Sequence, residues 1–260
     1  MAAERRLVVI TGASSGIGQA LAWRYYQAGW NLALMARRTG EIQSWAAQQR
    51  IEAGRHAVYQ ADVASVDSIV AAGQACLATQ GVPDVVIANA GISVGVDTAV
   101  RGDLDALERV YATNVVGLAA TFQPFIAPMR QRGSGRLVGI ASVAGIRDLP
   151  GHAAYCGSKA AVISHCESLR GELRGSGVQV VTIAPGYIDT PLTRKNRYGM
   201  PFLMPADAFA DRAFRAIERG VSYRVIPWQM GVVARLLRLL PNALFDRLLV
   251  GRPRKHRQAD

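Results

Sequence analysis

Two side chains in this 260-residue sequence are spaced for proton chemistry. Tyr155 and Lys159 stand four apart in Tyr155-Cys156-Gly157-Ser158-Lys159, so a helix brings both to one face. An ammonium one turn from a phenol favours the phenolate and eases its ionisation. Thirteen residues before Tyr155, Ser142 follows the strand-like run Arg136-Leu137-Val138-Gly139-Ile140-Ala141. Asn89-Ala90-Gly91 ends another such run, and Asn114 lies inside the helix-length segment after it. A second feature is built for an anion. Thr11-Gly12-Ala13-Ser14-Ser15-Gly16-Ile17-Gly18 joins a β-branched run to a helical pattern. Gly12 permits a tight turn, Gly16 lets backbone approach a pyrophosphate, and Gly18 allows close helix–sheet packing. The diphosphate then meets unpaired N–H groups at the helix start, with Ser14, Ser15 and Ile17 around it.

Cofactor choice is written at the end of the next strand, Met35-Ala36-Arg37-Arg38. NAD sites usually carry a carboxylate there for the ribose hydroxyls. Here Ala36 and two guanidinium groups, Arg37 and Arg38, suit a 2′-phosphate instead. NADP(H) is therefore the expected cofactor, with NAD(H) as a second, weaker partner. No cluster of residues has metal-ligand spacing, so no metal is expected.

These residues need rigid elements behind them. Leu7–Ile10, Asn31–Met35, Val85–Ala88, Arg136–Ile140 and Val178–Ile183 read as strands buried on both faces. Gly18–Ala28, Glu41–Ala53, Ser65–Gln80, Leu104–Met129 and Ala153–Arg174 are long enough for helices. The alternation predicts an α/β fold: a Rossmann-like doubly wound parallel sheet in three layers, α/β/α. One domain over 1–225 would hold the cofactor, with a helical extension and basic tail over 226–260.

Half the residues are hydrophobic and 19% charged, which excludes a disordered chain. Three cysteines, at 76, 156 and 166, read as reduced thiols in a cytoplasmic protein. The N-terminus enters a strand pattern by Leu7, which predicts no signal peptide, and no run of eighteen apolar residues predicts a membrane span. The net charge is +11, and from residue 224 onward eight Arg and Lys stand against two Asp. The basicity belongs mainly to the C-terminal extension, and no specific nucleic-acid partner is expected from it.

Taken in order, TGASSGIG at 11–18, Asp62-Val63, NAG at 89–91, Asn114, Ser142, YCGSK at 155–159 and Pro185-Gly186…Thr190 resemble the short-chain dehydrogenase/reductase family, in its compact single-domain form. The resemblance spans about residues 7 to 191. It implies hydride transfer between a nicotinamide and a carbonyl or secondary alcohol. Tyr155 would be the general acid or base, Ser142 would bind the substrate oxygen, and Asn114 would hold a water that relays protons to Lys159. Lys159 would also bind the nicotinamide ribose. Asp62 and Val63 would meet the adenine, and Asn89, Ala90 and Gly91 would line the crevice. Pro185, Gly186, Ile188 and Thr190 would cover the nicotinamide. Relatives preferring NADP often carry a basic residue inside the glycine turn, where this chain has Ser15, so Arg37 and Arg38 carry the discrimination alone. His152 reads as a solvated loop residue and Cys156 as filler.

Residues 191–206 would form a lid. Their apolar members suit a substrate with an apolar body, and Arg194, Lys195 and Arg197 an anionic group on it. Residues 226–250 read as two short helices that pack on the protein or a partner subunit, frame the substrate entrance, or contact a membrane peripherally. The family resemblance implies a homodimer or homotetramer, with Leu118, Phe122, Val162 and Ile163 as outward apolar faces. Reduction of a 3-oxoacyl thioester is the alternative activity, and a non-catalytic NADP(H) sensor the alternative class.

Overall fold

The computed structural model describes residues 5–194, 196, 199–251 and 257. The apolar runs become the strands β1 (Leu7–Thr11), β2 (Asn31–Ala36), β3 (His56–Gln60), β4 (Val85–Ala88), β5 (Gly135–Ile140) and β6 (Val178–Pro185). Two short strands, β7 (Ile188–Asp189) and β8 (Met204–Pro205), pair with each other, and β9 (Tyr223–Ile226) joins the main sheet. That sheet is parallel throughout, in the order β3-β2-β1-β4-β5-β6-β9. The order reverses between β1 and β4, and at such a switch point strand ends open a crevice. The sequence reading lacked β3 and β9, whose polar edge residues Gln60 and Arg224 break the apolar pattern.

Helices cover both faces. α1 (Gly16–Gln27), α2 (Thr39–Gln48) and α7 (Ala206–Glu218) lie on one; α3 (Val66–Gln80), α5 (Gly117–Arg132) and α6 (Ala153–Glu172) lie on the other. Helix α4 (Asp103–Tyr111) runs into α5 through a π-helical turn, Ala112–Val116. The stretch expected as one helix over 104–129 is thus interrupted at Asn114. By length and apolarity alone Asp103–Arg132 could cross a bilayer. Its packing decides otherwise, because Phe122, Phe125 and Met129 are buried in the sheet's core.

Burial also corrects the expected oligomer faces. Leu118, Phe122 and Val162 are buried in the core and present no outward apolar surface, whereas Ile163 is half-buried and packs against it. Helix α7 lay outside the predicted helices, although Phe209, Ala213 and Ile217 repeat every four residues and are buried. At the C-terminus, α8 (Trp228–Leu239) lays Gly231 against Val225 of β9 and Met230 against Gly186. In α9 (Asn242–Leu249), Phe245 is buried beneath the Arg147 guanidinium, 3.9 Å above its ring.

Gly18 shows how tightly the first turn is packed. A Cβ there would press into the Gly12 carbonyl and stand 2.6 Å from Asn89 Nδ2. Gly18→Ala should therefore lower stability by about 1–3 kcal/mol through overpacking. Urea unfolding measures this, and an unchanged midpoint would contradict the packing described.

Candidate active site

The carboxyl ends of β1, β4, β5 and β6 converge, and each delivers part of the site. Ser142 follows β5 and opens a 3₁₀ turn, Val143–Gly145. Its Oγ accepts from the Ala144 amide at 3.1 Å and lies 3.5 Å from the Pro185 carbonyl. Tyr155 and Lys159 stand one turn apart in α6, as their spacing requires. Burial pushes the Tyr155 phenol up to about 12, while its hydrogen bond with Ser142 works in the opposite direction.

Lys159 is 5% exposed, and its Nζ donates to the Ile140 carbonyl at 2.8 Å. Burial lowers its ammonium to about 8. The nitrogen is 5.9 Å from the Tyr155 ring centroid. Ser142, hydrogen-bonded to the phenol, eases its ionisation.

Asn114 occupies the π turn and is 1% exposed. Its side chain donates to the Ile92 carbonyl at 3.0 Å and to Ser158 Oγ at 2.9 Å, and accepts from the Ile92 amide at 2.9 Å. It thus ties the segment after β4 to α6. Gly91 adjoins both partners: a Cβ there would lie 3.2 Å from Asn114 Oδ1 and 3.4 Å from Lys159 Nζ.

The glycine turn fits a dinucleotide diphosphate on three observations. Gly12 and Gly16 have positive φ, which side chains resist. A Cβ on Gly12 would be 2.8 Å from Ala90 Cα. The N-cap residue Ser15 makes no side-chain capping bond and the first turn of α1 holds no acid, which leaves amide donors for an anion. Asn89 secures the turn, donating from Nδ2 to the carbonyls of Thr11 at 2.9 Å and Gly12 at 3.4 Å. Thr190 approaches from the far side, its Cβ 3.3 Å from where a Gly16 Cβ would stand. Ile17 packs on the core beneath, and Ile188 is buried.

Arg37 and Arg38 are both exposed at the end of β2. Arg38 Nη2 donates to Ser14 Oγ at 3.3 Å, and Arg37 Nη1 stands 4.0 Å from Asp62 Oδ2. Asp62 does not cap α3, because Ser65 does, accepting from the Ser68 amide. It faces Arg37 while its Oδ1 accepts from Ala64 N, and Val63 packs into the core beside it.

Other expectations change. His152 is buried rather than solvated, with Nδ1 3.1 Å from the Pro150 carbonyl. Arg194 holds Asp189 through two bonds, of 2.7 and 3.3 Å, so its guanidinium is engaged within the protein. Lys195 and Arg197 lie outside the described residues. All three cysteines are free and buried, and burial raises Cys156 to about 11. Sequence reasoning missed Tyr187, whose charge would act on Tyr155, and Ser158, which donates to the Tyr155 carbonyl at 2.7 Å. It also missed Asp103, which Arg257 grips at 2.7 and 3.2 Å across 154 residues. The signals were slight: Tyr187 sits inside Pro185…Thr190, and nothing local links Asp103 to the tail.

A parallel sheet whose switch point carries a glycine turn, with Tyr, Lys and Ser gathered beside it, defines a dinucleotide-dependent oxidoreductase. Comparison with known proteins agrees. The family model described as short chain dehydrogenase matches residues 6–200. An uncharacterized oxidoreductase of Myxococcus xanthus is 37% identical over 241 residues, covering 93% of this chain and 95% of that protein. An uncharacterized oxidoreductase of Mycobacterium tuberculosis is 36% identical over 248 residues, 94% of this chain and 97% of its own. A short-chain dehydrogenase from Sphingobium yanoikuyae, solved with NADPH, superposes with TM-score 0.77 at 28% identity, covering 92% of this chain and 97% of that one. One from Burkholderia phymatum, solved with NAD, shares the fold with TM-score 0.81 at 24% identity, covering 90% and 92%. The chain belongs to the short-chain dehydrogenase/reductase family. It is an oxidoreductase acting on CH–OH or C=O groups with a nicotinamide cofactor.

The buried Lys159 ammonium yields a sign-definite prediction. Unfolded, the lysine keeps its proton up to about 10.5; folded, it loses it near 8, so stability rises with pH between those values. Lys159→Met should raise stability at neutral pH by about 1–3 kcal/mol, the gain fading toward pH 10.5. Denaturant melts across pH check this; a destabilised variant at neutral pH would contradict the burial cost.

Proposed function

We propose that the protein is an NADP(H)-dependent reductase or dehydrogenase interconverting a carbonyl and a secondary alcohol, with Tyr155 as general acid or base. The observation that carries this reading is Tyr155 placed beside Ser142 and one turn from the buried Lys159, next to an uncapped glycine turn. The nicotinamide, when bound, supplies or takes the hydride. In reduction the Tyr155 phenol gives its proton to the substrate oxygen. A phenol held near 12 keeps that proton at neutral pH and so serves as an acid. Ser142 Oγ donates to the same oxygen and stabilises charge that develops there. The phenolate left behind is balanced by the Lys159 ammonium and then reprotonated from solvent. In oxidation the same transfers run backward.

The preference for NADP(H) rests on Ala36 followed by Arg37 and Arg38, both open to solvent at the edge of the turn. Relatives lend support: the Sphingobium yanoikuyae enzyme is described with NADPH, and an alcohol dehydrogenase from Thermococcus sibiricus, 25% identical, with 5-hydroxy-NADP. Arg38 already spans to Ser14, which places it closer to the turn than Arg37. Phe202 and Leu203, exposed at the end of the lid, suit a substrate with an apolar body.

Fluorescence titration with NADPH and NADH tests the cofactor assignment. NADPH should bind roughly tenfold or more tightly, a difference worth about one charge-assisted contact to the 2′-phosphate. Arg37→Ala combined with Arg38→Ala should bring the two affinities within about threefold. Equal affinities in the unaltered protein would overturn the preference for NADP(H).

A further inference from the structure

Away from the active site, the edge of the sheet beyond β6 carries a basic cleft of about 200 Å³. Arg212, Arg215 and Arg219 of α7 line it, together with Arg224 of β9 and Trp228 at the start of α8, and no carboxylate is among the lining residues. Arg215 is paired with Asp211, whereas Arg212, Arg219 and Arg224 make no ion pair among the described residues. Trp228 is 65% exposed, an unusual position for an indole.

Trp228 also begins an apolar stripe. Along α8, Trp228, Val232, Leu236 and Leu239 follow at helical spacing and are all exposed, Leu239 at 80%. They lie opposite Met230, Gly231 and Ala234, which bury the other side of α8. Arg235 and Arg238 border the stripe, and Asp246 is the one acid within α8 and α9. A second cleft, of about 300 Å³, shares Arg212 and Pro227 with the first and is lined by the exposed Phe202 and Leu203 of the lid. Trp228 lines the first cleft and begins the stripe, so the unpaired guanidinium groups and the apolar side chains meet at that residue.

We propose that this face docks on the surface of an anionic lipid bilayer, with Trp228 and the α8 stripe entering the interface and Arg212, Arg219 and Arg224 meeting lipid phosphates. The composition is that of an interfacial helix, apolar on one side and bordered by arginines that reach the head groups. An indole with one wet and one apolar end suits the same depth. A symmetric contact with a second copy fits poorly. It would set this arginine cluster against itself with almost no acid to compensate. The inference is independent of the redox reading. It would bring the lid beside the membrane, where an apolar substrate concentrates.

Co-sedimentation of the full chain with vesicles tests it, using phosphatidylcholine alone and phosphatidylcholine mixed with phosphatidylglycerol. The protein should pellet with the mixed vesicles and not with the neutral ones, and release as salt rises. Arg212→Ala with Arg219→Ala should weaken binding roughly tenfold or more, since each basic residue near an anionic surface contributes about fivefold. Leu236→Ser with Leu239→Ser should weaken it by at least about tenfold. Both variants should unfold at the same temperature as the unaltered protein, which separates lost docking from lost fold. On mixing with anionic vesicles, tryptophan emission should shift to the blue, and Trp228→Phe should abolish the shift. Failure to pellet with anionic vesicles, equal binding to neutral ones, or a dimer in sedimentation velocity that Leu236→Ser with Leu239→Ser dissociates would each overturn the proposal.

Discussion

A lysine ammonium buried at the end of a central strand is the constraint around which this molecule is arranged. Lys159 donates to the Ile140 carbonyl and is almost without solvent. A charge so placed is disfavoured by desolvation, so its position must be enforced by the surrounding fold. Enforcement comes from α6 lying across the end of β5, with Gly145 allowing the 3₁₀ turn to touch the Lys159 backbone. Asn114 completes it: a π turn aims its amide at Ser158, one residue before Lys159, and at the Ile92 backbone. The burial leaves an ammonium one helical turn from the Tyr155 phenol, which in turn is hydrogen-bonded to Ser142.

The glycine turn is bound into the same frame. Asn89, at the end of β4, holds the Thr11 and Gly12 carbonyls, while Thr11 Oγ1 accepts from the amides of Asn89 and Ala90. Thr190 closes on Gly16 from the segment after β6. A dinucleotide in this crevice would thus contact elements that also position Tyr155 and Ser142. Arg257 pairs with Asp103 at the start of α4 and forms a backbone bridge with Gly95. The hydrogen bond from Arg257 holds the Asp103 carboxyl below its ordinary value.

Much of this was legible in the sequence because the relevant residues are short-range. The glycine turn, the Tyr155–Lys159 spacing and the apolar strands each declare themselves within a few residues. Strands β3 and β9 escaped because edge strands mix polar side chains into the pattern. The expected outward faces at Leu118, Phe122 and Val162 failed because apolarity alone does not say which side of a helix meets the sheet. The partners of the Asn114 amide lie 22 and 44 residues away, so its spacing in the chain does not report them. The buried state of His152 and the Asp103–Arg257 pair depend on tertiary contacts that no local spacing reports.

The measurement that bears most directly on Tyr155 as the acid–base group facing the nicotinamide is an ultraviolet difference titration of its phenolate, unaltered protein minus Tyr155→Phe, without and with saturating NADP⁺. Without cofactor the phenolate signal should appear near pH 12. With the positively charged nicotinamide bound beside it, the same signal should appear below pH 10, because a nearby cation favours the ionised phenol. A titration unmoved by NADP⁺, although binding is saturated, would place Tyr155 away from the nicotinamide and contradict its role in proton transfer.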